Sequence, residues 1–231
     1  MKLDDIRKLQ QKKYRAEFGH FLVEGEHLLL ELQKAAEHNS PLLASELYVT
    51  ATYEHWLSPF RTHLIGERQM AQIADTRTPQ GILAVVPMAA LAPVPAAPGE
   101  RAIYLHEIQD PGNLGTILRT LAWFGGWRCL LSPGSVDPYN PKVVRSSMGA
   151  IFHTPLELDV PLESLGERFV RIACLDMQGE SVQSAGFQAF DCYLFGNEAR
   201  GVPREQLAAL DARPSSVPGC GAIASLTLSM T

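Results

Sequence analysis

His106-Glu-Ile-Gln-Asp110-Pro111-Gly112-Asn113-Leu-Gly115-Thr-Ile-Leu-Arg119 decides how the second half of this sequence folds. It follows an apolar run, Ala102-Ile-Tyr-Leu105, and leads into a helical stretch over 113–124. Asp-Pro-Gly-Asn is turn chemistry, and Asn113 is well placed to cap the helix that follows. Leu114, Ile117, Leu118, Leu121 and Phe124 recur at helical spacing and form one apolar stripe. Arg119 falls off that stripe, near the turn that contains Asn113. Taken alone, such a pattern is more often a core helix with a solvated arginine than a site.

Further apolar runs stand at 127–131, 169–175 and 191–195, with helical stretches at 141–147 and 203–212. The runs lack polar alternation, as expected of strands covered by helices on both faces. The sequence therefore predicts a parallel α/β domain, whose ligand site lies beyond the carboxyl ends of its strands. After the last of these runs comes Gly196-Asn197-Glu198-Ala-Arg200-Gly201-Val-Pro203. Two glycines around polar residues, with Pro at a helix start, let backbone N–H groups approach a ligand closely. An ordinary strand–turn–helix connection has the same composition. No GxGxxG and no Walker loop occurs in the chain. The final stretch, Val217-Pro218-Gly219-Cys220-Gly221 through Ser225-Leu226-Thr227 to Thr231, says little by itself.

Upstream, residues 89–99 hold five alanines and three prolines and read as a semi-extended linker. They divide the chain into a first domain over 1–88 and a second over 100–231. The first domain opens with a basic amphipathic helix, followed by a strand at 21–23 and a helix at 26–37. Strands at 46–50 and 81–86 complete a small α/β sandwich.

At 46% hydrophobic and 19% charged, the 231 residues have globular rather than disordered composition. The net charge of −5 argues against a protein that coats nucleic acid uniformly, yet residues 1–20 carry six basic against three acidic side chains. Cys129, Cys174, Cys192 and Cys220 show no CxxC pairing, so buried reduced thiols are expected, without metal or disulfide. The N-terminus is charged where a signal peptide needs apolar residues, and no tract is long enough to span a bilayer, which reads as cytoplasmic.

Together, the three polar stretches resemble the SpoU (TrmH-like) family of RNA ribose 2′-O-methyltransferases, part of the SPOUT class. Asp110, Asn113, Gly115 and Arg119 match its Asp-Pro-x-Asn-x-Gly…Arg element. Gly196, Glu198 and Gly201 match Gly-x-Glu-x-x-Gly, while Val217, Pro218, Ser225 and Leu226 match Ile-Pro…Ser-Leu-Asn. Arg145-Ser-Ser-Met-Gly149-Ala-Ile-Phe152 resembles the family's Ser-x-Gly-Ala segment. The first domain resembles an L30e-like substrate-binding domain through Lys12-Lys-Tyr-Arg15…Phe21-Leu-Val-Glu24-Gly25 and Asp75-Thr-Arg-Thr-Pro79-Gln-Gly81.

The resemblance implies an L30e-like α/β/α domain followed by a SPOUT-type α/β domain with a C-terminal trefoil knot. It implies S-adenosylmethionine-dependent methylation of a ribose 2′-hydroxyl in RNA, with 23S rRNA the expected substrate. Arg119, Asn113, Glu198 and Ser225 are the implied catalytic group. Backbone around Gly196, Gly201, Val217 and Leu226 is implied to hold the donor. Lys12, Lys13 and Arg15 in the first domain and Arg145 in the second are the candidate RNA contacts. Two departures stand out: Thr227 occupies the family's Asn position, and the sequence stops at Thr231, where members normally continue into a helix that threads the knot and packs a homodimer. They leave an alternative, a catalytically weak or inactive RNA-binding protein that keeps the fold.

Overall fold

Runs of apolar residues on both sides of each central strand dictate a layered arrangement, and the computed structural model, which describes residues 1–197 and 199–218, has one in each of two units. The first unit comprises Met1–Ala92 and Asp137–His153. In chain order it contains α1 (Leu3–Lys8), α2 (Lys12–Phe18), β1 (His20–Glu24), α3 (Glu26–Ala36), β2 (Glu46–Val49), β3 (Arg61–Leu64), α4 (Glu67–Ile73) and β4 (Ile82–Pro87). The sheet runs β1-β4-β2-β3, with β2 and β3 parallel and the other pairs antiparallel.

Strand side chains alternate between two apolar faces. Leu22, Tyr48, Leu83 and Val85 pack with Ile6, Leu9, Met70 and Ile73 of the α1 and α4 side. Phe21, Val23, Leu47, Val49, Ile82, Ala84 and Val86 pack with Leu28, Leu29 and Leu32 of α3. Tyr139, Val144, Ile151 and Phe152 join that second cluster, which is why 137–153 folds into the first unit despite following the linker in sequence.

Two expectations change here. The single basic helix is two, α1 and α2, because buried Leu9 ends the first and Gln10 Nε2 donates to Ala74 O at 2.8 Å. The prolines begin at 93, whereas Met88–Leu91 forms a 3-10 turn with Ala90 buried and its carbonyl accepting from Asn39 Nδ2 at 2.8 Å. β3 had no apolar signal because it is a mostly exposed edge strand.

The second unit comprises 93–136 and 154 onward. Its strands are β5 (Arg101–Leu105), β6 (Trp127–Leu131), β7 (Leu156–Glu157), β8 (Ile172–Ser181), β9 (Cys192–Phe195) and β10 (Arg213–Ser216). Every pairing is parallel, in the order β10-β8-β9-β5-β6-β7. The helices are α5 (Pro111–Phe124), α7 (Leu165–Arg168) and α8 (Arg204–Ala209); α6 (Pro141–Ser146) belongs to the first unit. Leu162 and Leu165 close one face over Tyr104, Leu130, Cys174, Cys192 and Leu194.

Cys129, Cys174 and Cys192 are free and buried, and burial pushes each thiol up to about 12. Arg128 is buried at the base of the sheet, bonded to Glu100, Glu157 and the Val94 carbonyl, so the proline-rich stretch is tied to β6. The parallel sheet of the expected SPOUT-type domain is present; the knot expectation depends on residues after Pro218, outside those described. Among the described residues, no helix is long and apolar enough to cross a membrane.

Candidate active site

In the second unit, β5 neighbours β6 on one side and β9 on the other, so chain connections diverge from this point in the sheet. In a parallel sheet such a switch point opens a crevice beyond the strand carboxyl ends. The turn after β5 (106–110) and the loop after β9 (196–201) flank it.

The first turn starts α5 with Asp110, not Asn113. Asp110 Oδ1 accepts from the Asn113 N–H at 2.8 Å, and Pro111 occupies the first helical position. Asn113 is therefore a residue of the first helical turn rather than the cap. The expected stripe is buried from Leu114 to Leu121, but Phe124 is 73% exposed at the helix end beside Trp123. Arg119 is exposed together with Thr116, Thr120 and Trp123 and makes no hydrogen bond or ion pair among the described residues.

The second loop folds back on itself. Asn197 and Gly201 exchange backbone bonds, N to O, at 3.2 and 2.8 Å. A Cβ on Gly196 would stand 2.7 Å from the Gly201 backbone, and Gly201 has φ +64°. Both positions need glycine for a physical reason: close approach at one, left-handed backbone at the other. With no side chain at either glycine, the backbone at these two positions is open to close approach by a ligand.

Residues that sequence reasoning did not single out lock these loops together. Glu107, at φ 50°, donates its N–H to Ser132 Oγ at 2.7 Å. Its carbonyl accepts from Asn197 Nδ2 at 2.8 Å, and its carboxylate accepts from Arg200 Nη2 at 2.6 Å. Asn197 is buried, and its Oδ1 accepts from the N–H groups of Ala199 and Arg200. A polar residue between two glycines was the available signal for Asn197; nothing local marks Glu107. His106 lies beside them, its N–H bonded to Phe195 O and its buried Nδ1 without a hydrogen-bond partner among the described residues. Burial holds its imidazole below the usual histidine range, and the Arg200 charge adds to this against the opposing pull of Glu107.

Val217 follows edge strand β10 and is 37% exposed. Glu198, Ser225 and Leu226 lie outside the described residues; Asn113, Arg119, Gly196 and Gly201 belong to one unit.

The candidate RNA contacts fall in the first unit. Lys12 and Lys13 are exposed on α2. Arg15 is not a surface cation: it is 2% exposed, bonded to Asp137 and to the Leu9 carbonyl. Its place on the inward face of a short helix, unreadable from a cluster of basic letters, is the reason. Arg145 lies in the first unit rather than the second and pairs with Asp75 at 2.6 Å. Glu24 accepts from the Asp75 N–H at 3.0 Å, and Gln80 Oε1 accepts from the Glu26 N–H at 2.9 Å, so the 75–81 segment is fastened to the end of β1 and the start of α3. Among the described residues no group of histidine, cysteine and carboxylate side chains is arranged to hold a metal.

Residues 100–231 match the SpoU rRNA Methylase family, and residues 1–84 match the MRM3-like substrate binding domain. A 23S rRNA (guanosine(2553)-2′-O)-methyltransferase of Bacillus subtilis is 31% identical over 91% of this chain and 84% of its own. A tRNA/rRNA methyltransferase of Synechocystis is 31% identical over 85% of this chain and 75% of its own. Among solved structures, a TrmH-family RNA methyltransferase from Porphyromonas gingivalis superposes with TM-score 0.81 at 27% identity, covering 99% of this chain and 92% of that one. An AdoMet-bound rRNA methyltransferase from Sinorhizobium meliloti gives 0.79 at 25% identity, covering 99% and 89%.

Proposed function

Because this chain belongs to the SpoU rRNA methylase family, we propose that it methylates a ribose 2′-hydroxyl of rRNA with S-adenosylmethionine as donor. The Bacillus relative's action on 23S rRNA makes that molecule the substrate of choice, and the AdoMet-bound relative supports the donor. The observation that carries the reading is Arg119, a cation with no partner among the described residues, on the helix that starts from the pinned turn.

Gly196, Gly201, Val217 and Leu226 hold the donor through main-chain groups, which fits the glycine-pinched loop after β9. Bound S-adenosylmethionine supplies an electrophilic methyl carbon. Transfer then requires the ribose oxygen in line and its proton removed. A guanidinium stays protonated in proteins, so Arg119 acts as a grip on the adjacent phosphate and positions the ribose, and the phosphate it grips accepts the proton that the hydroxyl loses on methylation. Asn113 and Ser225 orient the hydroxyl and Arg119, and Glu198 fixes the second loop. Lys12, Lys13 and Arg145 contact RNA from the first unit. A knotted donor pocket, a homodimer and a cytoplasmic setting complete the proposal.

The test is mapping of 2′-O-methylation in rRNA from cells with and without the protein, with Arg119→Ala as control. One modified nucleotide that disappears in both deficient strains is the expected result. Unchanged methylation throughout would refute the activity, and methylation that survives Arg119→Ala would remove that residue from its role.

A further inference from the structure

We propose that Glu107 is a positioning residue that clamps the glycine-flanked loop after β9 to the turn before α5, and thereby sets the main-chain surface that takes the methyl donor. The proposal rests on the donor reading above.

Every polar group of Glu107 is used. Its N–H reaches Ser132 in the loop after β6, its carbonyl takes the Asn197 amide, and its carboxylate takes the Arg200 guanidinium. One residue thus joins the three loops at the carboxyl ends of β5, β6 and β9. It does so with φ 50°, a conformation rare for a residue that is neither glycine nor asparagine. Such strain persists only where the surroundings over-determine it, and it gathers at functional sites.

The ion pair with Arg200 is largely open to solvent, at 71% and 36% side-chain exposure, so it contributes little to global stability. What it does is select among conformations of the 197–201 loop, a local equilibrium that ligands read. Asn197 carries the other half of the clamp: its amide N–H donates to the Glu107 carbonyl while its oxygen gathers the Ala199 and Arg200 N–H groups. Glu107→Gln removes the charge pair and leaves the carbonyl that holds Asn197 intact, so it isolates the positioning effect.

Calorimetric titration of S-adenosylmethionine into the wild type, Glu107→Gln, Arg200→Gln and the double variant tests the clamp. Expected is a donor Kd raised about three- to tenfold in each single variant, with the double no weaker than the weaker single. Donor-free melting stays within about 2 °C of wild type for so exposed a pair. In turnover, KM for the donor rises by a larger factor than kcat falls. An unchanged Kd in Glu107→Gln, or fully additive losses in the double variant, overturns the proposal. So does a donor-free melting loss above about 5 °C, which marks a general structural role. Absence of donor binding by the wild type instead overturns the donor reading, and this proposal with it.

Discussion

Arg15 of α2 and Asp137, 122 residues apart in sequence, form a buried ion pair with Nε to Oδ2 at 2.9 Å and side-chain exposures of 3% and 11%. The pair fastens segment 137–153 within the first unit, and a second guanidinium nitrogen donates to Leu9 O at 2.8 Å. A basic residue in a run of exposed lysines is thereby converted into part of the core.

Arg15→Ala leaves the Asp137 carboxylate buried without its partner, and chemical denaturation should show a loss of about 3–5 kcal/mol. Arg15→Met with Asp137→Leu removes both charges and is expected to recover most of it. A loss under about 0.5 kcal/mol in Arg15→Ala would mean the guanidinium is effectively solvated.

Lys12 and Lys13, exposed one turn before, are expected to act on RNA rather than on stability. Neutralising both should reduce the salt dependence of RNA binding by about 1.4–1.8 in log–log slope if each meets one phosphate, with melting unchanged. An unchanged slope would assign them to a solvated helix face.

Arg119→Ala should leave stability within about 0.5 kcal/mol, since the side chain is exposed and unpaired among the described residues. Single-turnover methylation should fall at least about a hundredfold through loss of substrate positioning. Stable protein with undiminished turnover is the outcome that would exclude the phosphate grip.

Gly196→Ala drives a Cβ to 2.7 Å from the Gly201 backbone and must open the loop after β9. Donor binding is expected to weaken at least about tenfold, with a smaller effect on sheet stability because the change sits in a loop. Isothermal titration alongside a melt separates the two effects; equal affinity would show that the donor does not read this loop.

His106 supplies a pH test. Its folded-state pKa is lowered, chiefly by burial, so as pH falls through about 6.5 the unfolded chain binds a proton that the folded chain refuses. Its contribution to stability is thus fully present above that pH and declines below it, until the folded pKa is reached. In His106→Gln the drop in melting temperature between pH 7.5 and 5.5 should be shallower than in wild type. Parallel curves would mean that the ring is open to water.

How much of this was legible beforehand follows from what each feature depends on. The parallel sheet was readable because Trp127–Leu131 and Cys192–Phe195 are short, unbroken apolar runs, and burial on both faces leaves just that pattern. Gly196 and Gly201 were readable because close backbone approach at the first and left-handed backbone at the second disfavour other residue types. These are properties of a few neighbouring residues, and the sequence carries them on its own. Arg15 reads like Lys12 and Lys13, Asn113 reads as a cap until Asp110 takes that place, and 137–153 reads as part of the second domain. Glu107 carries no local mark at all. Asn113 was decided by Asp110, three residues away, but the other three were decided by partners far along the chain: Asp137 for Arg15, the core around α3 for Tyr139 and Val144, and Ser132, Asn197 and Arg200 for Glu107. Local periodicity and backbone chemistry determined the elements and the loops. Burial and pairing of charges, which exist only once distant segments pack, determined which polar residues hold the fold and which are left free to act.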